Sequence, residues 1–429
     1  MLATQVSFNP LTSTDPIFLN DPYPVLQKMR AETPVCWSKK NKYWLISRHA
    51  EVSAILRDTT FEKQIQTWKH APNPLIVSIL PHIKSISGVS NNWLLNLNPP
   101  NHGRVRSLLN KAFTGQVVRD LRPTIEALSD DLIAKIAARS AETNNAPFDL
   151  IEDFAIPLPM AVIGHMLGIP PAQEGQLKDW STKLAAVAGR HTDLKVLIAA
   201  GKAVEALTAY LRPAIEERRR APKDDLLSTL VQAEMDGDRL KTEELVGNCI
   251  LLLIAGHETT TNLIGNALYS LVRNAEQMAI LSAHLRQEEQ GSSTPSPLMT
   301  STIAEVLRYE SPAQTAPRLA TVEVEMAGQT VRPGDMCWLL LGSANRDEQV
   351  FADAARFDIN RAPSNQMLSF GAGIHRCIGA SLAEVELEIA LSKLFAWREA
   401  FALGGSNSNG HVDFRVPFTL RGPQALWLQ

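Results

Sequence analysis

The stretch Phe370-Gly371-Ala372-Gly373-Ile374-His375-Arg376-Cys377-Ile378-Gly379 runs directly into the helix-forming segment Ala380 to Leu391. A lone cysteine therefore stands where a helix begins. Free backbone N–H groups and the partial positive charge of a helix start favour a thiolate over a thiol. Such a sulfur serves as a metal ligand or as a nucleophile. Gly371, Gly373 and Gly379 let the backbone approach a flat, bulky group and donate hydrogen bonds to the sulfur, which suits a ligand. A nucleophile needs no such shelf. A glycine-rich turn capping a helix beside an inert buried cysteine is the remaining reading.

Outward from this loop, helical patterns dominate. Glu51 to Arg57, His102 to Phe113, Ile125 to Arg139, Val204 to Arg219, Glu243 to Arg273 and Leu382 to Trp397 carry apolar residues at three- and four-residue spacing. Two small hairpins are predicted, Val35 to Trp37 with Tyr43 to Ile46, and Val322 to Met326 with Thr330 to Val331 about Ala327-Gly328-Gln329. The expected fold is mainly α with minor β, in one domain over 1–429. Short linkers are expected at Asn144 to Pro147, Arg220 to Lys223 and Gly291 to Pro297. From about Phe61 to Pro100 periodicity is lost among Trp68, Trp93 and several prolines, which predicts a long mobile loop over the substrate.

The chain has 429 residues, 42 Lys and Arg against 45 Asp and Glu, 45% hydrophobic and 20% charged content. A net charge of −3 offers no global field for nucleic acid or anionic lipid. Ordinary globular usage excludes collagenous, disordered or long coiled-coil chains. Cys36, Cys249, Cys337 and Cys377 lie far apart without CxxC spacing, so neither a disulfide framework nor a zinc ribbon is expected, and a reducing cytoplasm fits. The N-terminal residues show no signal-peptide pattern, and the longest apolar run, Cys249 to Ala255, is far shorter than the roughly 20 residues of a bilayer span. A soluble, cytoplasmic monomer with no nucleic-acid or membrane partner is expected.

Three further segments carry chemistry. Ala255-Gly256-His257-Glu258-Thr259-Thr260 places an acid and a hydroxyl in the middle of an apolar helix. A buried carboxylate is costly unless it serves something, and Gly256 removes a side chain where a small ligand would need room. Read alone, Glu258 facing solvent and Thr259 bonding back to the previous turn account for the same residues. Glu305 and Arg308, three apart, share a helix face, although Thr302 and Glu305 also satisfy a capping box. His102 and Arg106, four apart, share another face.

Taken together, the cysteine stretch resembles the haem-ligand loop of cytochrome P450, Phe-Gly-x-Gly-x-His-x-Cys-x-Gly, at Phe370, Gly371, Gly373, His375, Cys377 and Gly379. Six such matches arise by chance at a rate on the order of one in a hundred thousand. Ala255 to Thr260 resembles the family's distal-helix signature, and Glu305-Val306-Leu307-Arg308 its Glu-x-x-Arg pair. Residues from Asp21-Pro22-Tyr23-Pro24 to Leu420-Arg421-Gly422-Pro423 fit in order and spacing. The resemblance implies a P450 fold with haem b between a long distal helix and the proximal cysteine-loop helix. Cys377 is then the axial iron ligand, with Ala255 and Gly256 lining the distal haem face. Thr259 holds the iron-bound oxygen, Glu258 relays protons, and His257 has no assigned role. His102, Arg106, Arg318 and His375 bind the propionates. Arg361, or failing that Arg356, joins Glu305 and Arg308 in a structural triad. Asn98 departs from the Asp that many bacterial members carry before Pro99-Pro100, which touches only local turn or cap chemistry.

The implied activity is O2-dependent monooxygenation, hydroxylation or epoxidation, of a largely hydrophobic substrate, in the manner of bacterial members that tailor polyketide or peptide secondary metabolites. Pocket candidates are Trp68, Trp93, Leu253, Ala313, Thr315, Ala316, Pro417 and Phe418. The chain runs only 52 residues past Cys377, so electrons are expected from a separate small ferredoxin and its reductase, docking near Arg104, Lys111 and Arg376. Three rivals remain: a peroxide-driven peroxygenase, which usually shows Arg and Pro in place of Glu258 and Thr259; a haem sensor without turnover; and a non-haem cysteine enzyme using His375 as base.

Overall fold

The computed structural model describes residues 8–63, 68–70, 81–144, 146–170, 173–187, 193–235, 237–287, 295–416 and 418–429. Helices α1 (Pro16–Asn20) and α2 (Tyr23–Glu32) lead into strands β1 (Val35–Ser38) and β2 (Tyr43–Ile46), then α3 (His49–Arg57) and β3 (Phe61–Glu62). A helical run follows: α4 (Pro81–Ser90), α5 (Asn101–Asn110), α6 (Gly115–Glu142), then β4 (Phe148–Asp149), α7 (Pro157–Met166), α8 (Glu174–Ala185), α9 (Leu194–Arg220) and α10 (Leu226–Gln232). Strands β5 (Glu234–Met235) and β6 (Asp238–Arg239) precede α11 (Thr242–Arg273), and α12 (Ala275–Gln287) and α13 (Pro297–Tyr309) come after it. Strands β7 (Thr315–Ala320), β8 (Val324–Met326), β9 (Gln329–Val331) and β10 (Met336–Leu340) lead to α14 (Leu341–Ala344), α15 (Ala380–Trp397) and β11 (Trp427–Leu428).

The main sheet has the order β1-β2-β10-β7-β3, with β2 and β10 parallel and the other pairs antiparallel. It joins N-terminal strands to strands nearly 300 residues later, so its order is invisible to local pattern. The β8–β9 hairpin turns through Ala327 and Gly328, both at positive φ, as the sequence pattern suggested.

The 32-residue α11 is buried along most of its length, which explains its continuous apolar content. Glu244 accepts the Lys241 N–H at 2.9 Å and closes its first turn. Asn248 reaches the loop before α5, accepting the Leu94 N–H at 2.9 Å and donating to Asn92 O at 2.9 Å. Asn266 donates to the carbonyls of Glu310 and Arg421, both at 2.9 Å. The helix thereby fixes three distant segments by satisfying their backbone groups. Helices α6, α7, α9, α13 and α15 share its hydrophobic cluster, and two smaller clusters pack on the sheet.

The Glu305 carboxylate accepts two bonds from Arg308, at 2.7 and 2.8 Å, and one from Arg361 Nε at 3.1 Å. Arg356 contributes only its carbonyl, which accepts from Arg308 at 3.0 Å. Further bonds from Arg308 to the carbonyls of Asn345 and Ala354 tie α13 to the loop that leads to Cys377.

Two expectations are corrected. The region from Phe61 to Pro100 is not wholly loop: Phe61–Glu62 pair with β7, Pro81–Ser90 form α4, and Leu94–Asn96 make a 3-10 turn. Gly201 explains part of that packing, since a Cβ there would lie 2.3 Å from His82 O. The helix expected from His102 to Phe113 ends at Asn110. Residues 64–67, 71–80, 145 and 291–294 of the expected loop and linkers lie outside the described residues.

Glu305 is fully covered and faces two guanidinium groups. Replacing it by Gln leaves their charge uncompensated, at a cost of about 3–5 kcal/mol. Glu305→Gln is therefore expected to lower the thermal melting temperature sharply, and an unchanged melt would remove the triad from its structural role.

Candidate functional site

The cysteine loop is shaped by its own hydrogen bonds. Cys377 N–H donates to Phe370 O at 2.8 Å and Gly371 N–H to Leu368 O at 2.8 Å, closing a tight reversal in which Gly371 and Gly373 both take φ of +68°. Ser369 Oγ donates to Leu307 O at 2.6 Å and Leu368 N–H to Asn345 Oδ1 at 2.7 Å, anchoring the loop to α13 and to the segment after α14. At Gly373 a Cβ would meet Leu56 O at 2.4 Å. That glycine therefore also lets the loop pack closely on the end of α3. Gly379 has nothing within 4 Å of a Cβ position, and its N–H bonds to the Cys377 sulfur.

Cys36, Cys249 and Cys337 are buried, whereas Cys377 is accessible. Its thiol pKa is nonetheless raised, chiefly by burial, against the pull of the Gly379 N–H, Arg376 and Arg106. Accessible and deeply set together describe a sulfur on the wall of a cleft. The Gly379 N–H at the helix start favours the thiolate, but burial outweighs it; a bound cation deprotonates a coordinating thiol outright.

Around this loop gathers a nest of basic side chains. His102 is 2% exposed with Nε2 unpartnered, and its ring lies 4.3 Å from that of His375. Arg318 is 3% exposed and donates to the carbonyl of its own neighbour, Pro317, at 3.0 Å. Lys63, which sequence reasoning missed, is 5% exposed. The register Glu62↔Leu319 carries the next residue, Lys63, to the level of Arg318; only the pairing of β3 with β7 reveals this.

The groups repel one another. Burial and Arg106 push His102 down to about 4. Burial, Lys63, Arg318, His102 and Arg106 push His375 down to about 2. Burial lowers Arg318 to about 10, and burial with Arg318 holds Lys63 well below its usual value. Arg106 is lowered by burial and Arg376, with Cys377 acting oppositely. Among the described residues, no carboxylate appears with the groups that perturb these five. Asn98 accepts the Lys63 N–H at 2.9 Å and donates to Glu62 at 2.8 Å, a bond that an Asp could not give.

On α11, Ala255 is exposed in mid-helix, and a Cβ on Gly256 would meet nothing within 4 Å. This face is open, whereas Thr260 to Leu268 beyond it are buried. Thr259 Oγ1 donates to Ala255 O at 2.6 Å, the back-bond that its chemistry permits. Glu258 does not face solvent: Arg415 Nη1 donates to it at 2.9 Å, and its side chain is 15% exposed. No sequence pattern pointed to Arg415, which reaches α11 from the C-terminal loops. His257 is buried with Nε2 unpartnered, and Nδ1 lies 3.3 Å from Ser181 Oγ of α8. Burial, with Arg415 and Lys178 nearby, lowers its pKa to about 4.

The pocket candidates divide. Thr315 and Ala316 are partly exposed on β7, and Ala313 is partly exposed where it bridges Leu420. Trp93 is half-buried against the main core. Trp68 packs toward the cluster of Phe18 and Tyr23, its ring edge-on to His70 at 5.7 Å. Leu253 is only 1% exposed and belongs to the core, and Phe418 is buried against Phe18 with centroids 5.2 Å apart. Neither is available to line a pocket, a correction. Pro417 lies outside the described residues, and Val416 beside it is exposed. Arg104 is also corrected as a docking residue, since it is ion-paired with Glu244 and Asp238. Lys111 and Arg376 are exposed.

No described helix is long and apolar enough to cross a membrane. The cytochrome P450 family model matches residues 78–397. Cytochrome P450 107B1 of Saccharopolyspora erythraea is 39% identical over 355 residues, covering 82% of this chain and 80% of that one. The solved structure of P450BioI in complex with hexadec-9Z-enoic acid ligated acyl carrier protein superposes with TM-score 0.83 at 32% identity, covering 96% of this chain and 99% of that one. PksS, the cytochrome P450 of the bacillaene polyketide synthase of Bacillus subtilis 168, gives 0.84 at 30% identity, covering 98% and 99%. Loop, distal helix and matches agree: the chain belongs to the cytochrome P450 family and is a monooxygenase of the bacterial kind.

Proposed function

We propose that this enzyme holds haem b between the open Ala255–Gly256 face of α11 and Cys377, and inserts one atom of O2 into a largely hydrophobic substrate. The observation that carries the reading is the nest of Lys63, His102, Arg106, Arg318 and His375 beside an accessible cysteine, with no carboxylate of the described residues among the groups that perturb it. Two propionates are the anions such a nest fits, Arg being suited to paired hydrogen bonds. Haem held there supplies the oxygen chemistry, with thiolate ligation favouring O–O cleavage.

The protein's own contribution is orientation and timed protons. Insertion of one oxygen atom and release of the other as water consumes two electrons and two protons. Thr259 presents a hydroxyl on the open face, and Glu258 beside it is the acid placed to pass protons inward. Arg415 holds that carboxylate in one orientation. Thr315, Ala316 and Val416 provide partly or fully exposed, mostly apolar surface for substrate. Electrons come from a small ferredoxin with its reductase in the cytoplasm, docking on the cysteine side near Lys111 and Arg376.

Two relatives support a substrate class. P450BioI is seen with an acyl chain on a carrier protein, and PksS belongs to a polyketide synthase. For this enzyme we assign the same class, an apolar acyl chain of a secondary metabolite, tailored by hydroxylation or epoxidation while thioester-linked to a carrier.

Three measurements check this reading. Reduced protein with carbon monoxide is expected to show a strongly red-shifted Soret band that Cys377→Ala abolishes; a persistent band in the variant would displace Cys377 as ligand. Thr259→Ala should keep electron consumption while product formed per electron falls several-fold, whereas normal coupling would end its role in proton delivery. Lys63→Met should make the haem-free chain more heat-stable, by relieving repulsion, yet lose haem faster to a scavenger protein. Faster loss without that stabilisation would mean that Lys63 is not part of the nest.

A further inference from the structure

A lateral row of side chains crosses the main sheet. The registers Cys337↔Arg318, Cys337↔Trp44 and Trp37↔Trp44 set Arg318 of β7, Cys337 of β10, Trp44 of β2 and Trp37 of β1 side by side. Residues level with one another on neighbouring strands point to one face of a sheet. That face is the one turned to the site, because Trp44, Cys337 and Ala320 share a hydrophobic cluster with Leu368 and Ala372 of the cysteine loop. Arg318, two residues before Ala320, lies on the same face. Trp44 stands two strand spacings, roughly 10 Å, from Arg318. The row thus starts in the basic nest and ends on the edge strand β1, where Trp37 is partly exposed.

Indoles are among the side chains most easily oxidised. Trp44 is 6% exposed, and its ring centroid lies 5.1 Å from that of Trp37. Its Nε1–H donates to Asp335 Oδ2 at 3.0 Å. An indole that has lost an electron is a strong N–H acid, so a carboxylate on that atom is the base its oxidation calls for. Against burial, bonds from Lys69, the Arg332 N–H and Trp44 hold the Asp335 carboxyl below its ordinary value, which keeps it an acceptor. Cys337, fully covered between Arg318 and Trp44, has its thiol pushed up by burial and by Asp335 and so supplies no thiolate to compete.

Resting on the proposed haem site, we infer that Trp44 and Trp37 form a protective route that drains an oxidising equivalent from that site to the surface when O2 is reduced without substrate being attacked. The monooxygenase activity itself supplies the oxidant. One electron leaves Trp44 for the site as its Nε1 proton passes to Asp335. Trp37 then gives an electron to Trp44, the proton returns from Asp335 to Nε1, and Trp37 releases its own indole proton to solvent. A soluble thiol restores Trp37 with one electron and one proton; after two passages, two thiols have become a disulfide and the site has gained two electrons.

The test treats the haem-loaded enzyme, free of substrate and thiol, with hydrogen peroxide. Radicals are followed by rapid-freeze electron paramagnetic resonance, oxygen adducts by peptide mass spectrometry, and haem loss by absorbance. The wild type is expected to give an indolyl radical and adducts concentrated on Trp37, both removed by added thiol. Trp44→Phe keeps a ring in the sheet but lacks the N–H; it should suppress adducts on Trp37 and bleach haem several-fold faster. Trp37→Phe, on the partly exposed edge strand, should move the adducts to Trp44 and hasten bleaching too, and decides the matter alone if Trp44→Phe does not fold. Trp338→Phe is the control, since Trp338 packs with Tyr43 in the cluster on the opposite face, and should change neither readout. Adducts on Trp37 that persist in Trp44→Phe, or equal bleaching in wild type and Trp37→Phe, overturn the route while a normal carbon monoxide band leaves the monooxygenase reading intact. Absence of that band in the wild type would instead defeat the haem reading, and the route with it.

Discussion

Burying several basic groups in one place is the constraint on which the site depends. Lys63 just past β3, His102 of α5 and Arg318 of β7 are buried, and His375 of the cysteine loop is partly buried. Desolvation and mutual repulsion press each toward its neutral form. An arrangement so costly persists when the surrounding fold enforces it and an anion compensates it. Here the enforcement is the sheet: β3 pairs with β7, β7 with β10, and α3 presses on the cysteine loop at Gly373.

The cysteine loop is in turn held by charge networks rather than by apolar packing alone. Glu305 collects Arg308 and Arg361, and Arg308 spends its remaining donors on carbonyls of the segment before the loop. A second network places Arg346 between the rings of Tyr23 and Tyr309, 3.5 and 3.4 Å from their centroids, while Glu310 pairs with Arg346 and Arg421. Arg421 also donates to the carbonyls of Leu19 and Asn20. The second network thus clamps both ends of the chain onto α13, and the loop bearing Arg415 is held close to α11.

Helix α11 serves two demands that conflict. Its length and burial make it the centre of the largest core cluster, yet its middle must stay open. Gly256 and Ala255 reconcile them by omitting side-chain bulk on one face only, while Leu252 and Leu253 one turn earlier remain packed. The charged residue in that opening is governed by a partner from outside the helix, Arg415, so the state of the C-terminal loops bears directly on Glu258.

Much of this was legible in one dimension. Helix periodicity marked α6, α9, α11 and α15, because a helix buries one stripe or its whole surface and records that in composition. The cysteine loop was legible because tight reversal demands glycine at Gly371 and Gly373, and the pairing of Glu305 with Arg308 because they lie one helical turn apart. What the tertiary structure decided is whatever depends on strand order and on contacts between distant segments. Lys63 joins the cations only because β3 lies beside β7, Arg415 meets Glu258 across more than 150 residues, and Leu253 and Phe418 are withdrawn from the pocket by packing that no local pattern encodes. Sequence by itself determined which chemistries the chain carries, since those reside in residue type and short spacing; which side chains share one dielectric environment was settled only when the chain closed on itself.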